Sequence, residues 1–236
     1  MNLFFNNEAM QPKKIFILSV LILIALRVSG QVDSASLIKY TPDYDFKNGI
    51  FFSFDQVKKN NPLPKTRIIT SVGYDNPHFF DNVLNKNKIT YYDNLGNQKE
   101  VTIKNIWGYA KNGVLYIKIN SGYSRITMIG SISHFVANYT NYNSSSTYPY
   151  YYDGYYHDPY RMPPSSYSNT EIRQYLLDFN TGQIYEYTPK NLEILLMNDP
   201  EIYEEFNALS RKKKKQQKFM FLRKFNEKNP LYVPKN

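Results

Sequence analysis

Asn112-Gly113 stands between two runs rich in β-branched and aromatic residues, 106–109 and 114–119. An Asn-Gly pair accepts the left-handed backbone of a tight hairpin turn, so the flanking runs read as paired antiparallel strands. Similar punctuation recurs at Asn94-Leu95-Gly96-Asn97, Asn120-Ser121-Gly122 and Asn180-Thr181-Gly182. Short apolar or alternating runs lie at 50–54, 67–72, 89–92, 100–109, 125–129, 132–136, 174–179 and 183–187. Turn signals spaced by about ten residues predict an antiparallel meander of about six to eight strands, open or curled toward a barrel. Asp55 to Asn60 reads as one helical turn capped by Asp55.

The period changes after Tyr187. Thr188-Pro189 and Asp199-Pro200 each place a capping side chain before a proline at the first helical position. Leu192, Leu195 and Leu196, then Ile202, Phe206 and Leu209, recur at helical spacing. A last helix is expected from Ser210 to about Asn226, closed before Asn229-Pro230. The expected fold class is therefore α+β: an antiparallel sheet followed by C-terminal helices over 189–228.

Residues 138–169 interrupt the series. They hold ten of the 23 tyrosines, many Asn, Ser and Pro, and almost no aliphatic residue. Without Val, Ile or Leu such a stretch cannot build a core, so it is expected to be a long inserted surface loop. Its centre, Tyr150, Tyr151, Tyr152, Tyr155 and Tyr156, offers flat amphipathic rings to a sugar or a protein partner. The alternative is an insertion that binds nothing.

The N-terminus has the order of an export signal. Pro12-Lys13-Lys14 precedes an apolar run from Ile15 to Leu26, broken by Ser19, and Val28-Ser29-Gly30 follows. The run is shorter than the roughly 20 residues of a membrane-spanning helix. Residues 1–30 are expected to be a signal peptide, and 31–236 a single exported domain without a membrane span. The chain has no Cys. In an exported protein of this size that favours a Gram-negative periplasm or cell surface, where a large enough core does without disulfides.

Charge is segregated. The formal net charge is +9, yet residues 207–236 alone hold ten Lys or Arg against one acid, Glu227. The basic balance thus belongs to one segment and is no argument for nucleic-acid binding. Arg211, Lys212, Lys213, Lys214, Lys215 and Lys218 fall within about two helical turns, without an apolar residue between Ser210 and Lys218. Those turns are expected to face water on all sides. They serve either as a solvated link or as an attachment to an anionic envelope surface or an acidic protein partner.

Catalytic signatures are missing from the sequence. No Gly-x-Ser-x-Gly, phosphate loop, His-Glu-x-x-His or dinucleotide fingerprint occurs. Asp43 to Gly49 fails as a calcium loop, with Lys47 at a ligand position and Phe54 where a bidentate Glu belongs. No metal ligand set, cofactor or catalytic residue is assigned. Three His are present, and His134, in a strand, is the one expected to be half-buried.

Three stretches look familiar together: 49–55 (Gly-Ile-Phe-Phe-Ser-Phe-Asp), 106–116 around Trp107 and Asn112-Gly113, and 225–231 (Phe-Asn-Glu-Lys-Asn-Pro-Leu). On these the chain resembles uncharacterised exported proteins of Bacteroidota with a β-rich body and a lysine-rich C-terminal helix. The resemblance implies an envelope location and no particular activity. Two functions stay open. One is a non-enzymatic envelope protein that binds a partner. The other is an envelope hydrolase of glycans or peptides, for which converging carboxylates or a Ser–His pair at His134 would speak.

Overall fold

The computed structural model describes residues 37–120, 122–143 and 167–236. The expected signal peptide and Tyr150, Tyr151, Tyr152, Tyr155 and Tyr156 lie outside the described residues. Contacts divide the chain into two units, 1–37 with Lys235 and 38–234 with Asn236. Only Leu37 and Lys235 of the first are described, so the fold below is that of the second.

Among the described residues there are twelve strands in three antiparallel sheets, with helices gathered at the C-terminal end. The sheets do not close into a barrel. The main sheet has seven strands: β2 (Gly49–Phe51), β6 (Gly108–Lys111), β7 (Val114–Ile119), β8 (Gly122–Met128), β9 (Ile132–Asn143), β10 (Tyr167–Asp178) and β11 (Ile184–Glu186). Its order, β11-β10-β9-β8-β7-β6-β2, is the expected meander, with β2 added on the β6 edge. β3 (Ile68–Ile69), β4 (Lys88–Tyr92) and β5 (Gln98–Thr102) make a second sheet. β1 (Leu37–Lys39) and β12 (Tyr232–Pro234) make a third. The run 100–109 is thus not one strand. A 3-10 turn at Ile103–Asn105, whose Ile103 carbonyl accepts from the Lys118 ammonium, carries the chain from one sheet to another.

The β6–β7 hairpin turns at Asn112 and Gly113, with φ of 51° and 76°. A side chain at 113 would meet the Asp45 carboxylate, so glycine is required there for space as well as for backbone. The first helix, α1 (Phe54–Lys58), is capped by Ser53 and not by Asp55. Ser53 Oγ accepts from the Gln56 N–H, and Gln56 Oε1 reaches back to accept from the Phe52 N–H. This reciprocal arrangement fits Ser-x-x-Gln better than an aspartate one position late. Asn60 ends that segment in the left-handed region, φ 45°, and is buried. Its side-chain oxygen accepts from the Lys47 N–H at 2.9 Å, and its amide donates to the Tyr44 hydroxyl at 2.8 Å and to Asn236 Oδ1 at 2.6 Å. A second short helix, α2 (Phe79–Leu84), packs its phenylalanines beneath the second sheet.

Alternation along the strands sorts the core. Phe51, Leu115, Ile117, Phe135 and Leu177 fill one face of the main sheet. On the other, Ile50 and Tyr109 join α2, while Ile132, Leu176 and Tyr187 receive the C-terminal helices. Those helices are α3 (Pro189–Leu196), α4 (Pro200–Asn207) and α5 (Arg211–Lys228). Thr188, Asp199 and Ser210 cap them, each accepting from the backbone N–H three residues on.

The inserted segment is narrower than 138–169. β9 and β10 pair in one unbroken register from Ile132↔Asp178 to Asn143↔Tyr167. Residues 138–143 and 167–169 are therefore strand, although β-branched aliphatics are scarce there. Cross-strand partners extend the ladder: the Arg173 guanidinium lies 3.8 Å from the centre of the Tyr139 ring.

Candidate functional site

The basic helix is where the structure adds most to the sequence. α5 buries Phe221, Leu222 and Phe225 against Ile132, Leu176 and Phe206. Its far end is fastened by amide chemistry. Asn226 donates to the Ile132 carbonyl at 2.8 Å and accepts from the Ile132 N–H at 2.9 Å, like one more strand partner. Ser131 Oγ donates to the Asn229 carbonyl at 2.7 Å. The Asn226 amide lies where a side chain at position 130 would stand, so Gly130 lets the β8–β9 turn approach the helix.

The expectation that the turns from Arg211 to Lys218 face water on all sides is corrected at two positions. Lys214 is largely buried and bonds Glu193 at 2.8 Å, with Asn207 Oδ1 as a second partner and the Phe206 ring beneath it. Lys218 donates to the Tyr187 carbonyl at 2.9 Å, its ammonium 4.0 Å from the centre of the Tyr187 ring. Burial pushes its ammonium below the ordinary lysine range. Further along, Lys224 pairs with Glu205, and Lys228 with Asp199 at 2.9 Å and Glu201 at 2.6 Å. Hydrogen bonds from Asn229 and Lys228 hold the Asp199 carboxyl down to about 2. The acids of α3 and α4 thus neutralise lysines on the inner and lateral sides of α5.

Arg211, Lys212, Lys213 and Lys215 are left over. All four are exposed, and none forms an ion pair with a described residue. They occupy the first turns of a helix whose first turn carries no acid. Cations there oppose the helix dipole, each at a cost of about 0.3–1 kcal/mol. The arrangement therefore combines concentrated positive charge, full access and an internal electrostatic cost that an external anion would offset.

His134 lies beneath the same helix. It is 8% exposed, with Nε2 3.4 Å from Gln174 Oε1 and its ring edge-on to Tyr187 and Phe219. The adjacent Ser133 hydroxyl is engaged with the Gly130 backbone and is not paired with this histidine. Among the described residues no three His, Asp or Glu side chains are placed to hold a metal ion. Burial, with Lys218 nearby, keeps the imidazole below its ordinary titration range. The unfolded chain, titrating near about 6.5, then takes up the proton first, so acidification favours unfolding. Stability contributed by the neutral His134 is complete above about pH 6.5 and falls as pH drops from there. Urea unfolding at about pH 7.5 and 5.5 is expected to show a larger loss for the native chain than for His134→Phe. Equal losses would mean that the ring is not buried uncharged.

Among the described residues no helix is long and apolar enough to cross a membrane. Comparison of the chain with family models, with curated proteins and with solved structures finds no match.

Proposed function

We propose that the chain is an exported envelope protein of the binding class, held to an anionic surface by the exposed turns of α5. The observation that carries this reading is the division of charge along the helix. Lys214 and Lys218 are satisfied within the fold, whereas Arg211, Lys212, Lys213 and Lys215 stand outward without acids of their own. Export rests on the sequence alone, on the two lysines and apolar run before Gly30.

Each cation near an anionic bilayer contributes about 1 kcal/mol, a gain that salt screens. Replacing Arg211, Lys212, Lys213 and Lys215 together by Gln is expected to weaken co-sedimentation with anionic vesicles by roughly a thousandfold at low salt. Lys214 is left in place, because Lys214→Gln removes the Glu193 pair and acts on stability instead. Melting of the fourfold variant should be at or above that of the parent, because the substitutions relieve cations that oppose the helix dipole. Binding that is unchanged in the variant, or indifferent to salt, would overturn the proposal.

A further inference from the structure

We infer that α5 does more than touch charged headgroups: its outer face inserts Phe219 and Met220 into the acyl border of an anionic bilayer. This rests on the attachment proposed above and names its partner. At 100° per residue, Lys212, Gln216, Phe219, Met220, Arg223 and Glu227 share one side of the helix, opposite Phe221, Leu222 and Phe225. Phe219 is 37% and Met220 51% exposed, while the core side of the same helix is closed. Together they open an apolar spot on an otherwise charged and polar face. Arg223 lies over the Phe219 ring at 4.9 Å, so a guanidinium accompanies the aromatic to the surface. A shallow groove of about 420 Å³ runs along Phe219, Met220, Arg223, Lys224 and Glu227.

The apolar surface extends beyond the helix. Phe219 abuts His134, and Val136, next on that face of β9, is exposed. Ile172, on the same face of β10, is 76% exposed. Cations that reach a headgroup layer, with an aromatic and a methionine about one to two turns further on, match the interfacial helix that lies in the plane of a membrane. A soluble acidic protein or polymer would satisfy the cations and leave Phe219, Met220 and Val136 open. Charge complementarity together with this apolar ridge selects the lipid surface.

The chain has no Cys, so a single Met220→Cys accepts an environment-sensitive dye cleanly. Adding vesicles of phosphatidylglycerol and phosphatidylcholine should blue-shift its emission and render it quenchable from within the bilayer. The same dye at Leu95→Cys, on the exposed β4–β5 turn, should not respond. The double substitution Phe219→Ser, Met220→Ser should lower vesicle affinity roughly tenfold both at low salt and at about 0.3 M salt, since salt screens the cations and not the apolar contact, and should leave measurable electrostatic binding at low salt. Vesicle binding without a shift at position 220 would overturn insertion and leave the electrostatic attachment standing. An equal shift at position 95, or the same shift on soluble polyphosphate, would also overturn it. Absence of vesicle binding at low salt would remove both proposals.

Discussion

Phe206→Ala should lower the free energy of unfolding by about 3–5 kcal/mol. The ring is wholly buried where α4 meets α5, 5.0 Å edge-on to Phe221. Its other face carries the Lys214 ammonium at 5.4 Å, itself tied to Glu193 of α3. Truncation therefore removes apolar burial, leaves a cavity among three helices and takes away the surface on which the largely buried Lys214 cation rests. Phe206→Leu keeps most of the volume and should cost less than about 1.5 kcal/mol. Denaturant titration gives both numbers. Hydrogen exchange locates the loss: amides of α3–α5 should lose more protection than those of β6 and β7. A change below about 1 kcal/mol on truncation would mean that the helices do not pack on Phe206.

Asn60→Ala is expected to cost about 2–4 kcal/mol, although it deletes only one small side chain. Two terms add. The Lys47 N–H and the Tyr44 hydroxyl lose a partner in a buried setting, and the left-handed backbone no longer has a residue suited to it. Asn60→Gly separates the terms, since glycine restores the backbone freedom and not the hydrogen bonds. Its loss should fall clearly between those of the parent and the alanine variant. Equal losses for Gly and Ala would assign the whole effect to hydrogen bonding.

What could be read from the sequence follows the range of the interactions. The Asn112-Gly113 turn, the Thr188 and Asp199 caps and the order of strands from β6 to β11 depend on neighbours a few residues away, and they stand as expected. Residues 138–143 offer no Val, Ile or Leu to a core, so composition alone points to a loop there. They become strand by pairing with β10, from Asn138↔Ile172 to Asn143↔Tyr167, and composition does not register a partner strand. The helix was legible as an object and its two sides were not. A run of lysines has no period, and only the positions of Glu193 and the Tyr187 carbonyl reveal that Lys214 and Lys218 turn inward. Phe219, Met220, Phe221 and Leu222 are contiguous in the sequence, whereas the wheel divides them between surface and core.

The bond between Asn226 and Ile132 spans 94 residues of chain. Synthesis proceeds from the N-terminus, so the strands exist before the helices that cover them. Until residues beyond Pro189 have emerged, Ile132 and Leu176 present an apolar sheet face with nothing on it. Such faces recruit other chains when exposed in partly made or partly folded molecules. The short helices complete this side of the fold late, and their docking closes contacts of high sequence separation, which are slow to form. A prematurely ended chain would thus be a sticky sheet, and the interval between strand pairing and helix docking is the stage at which a holding chaperone would protect this protein.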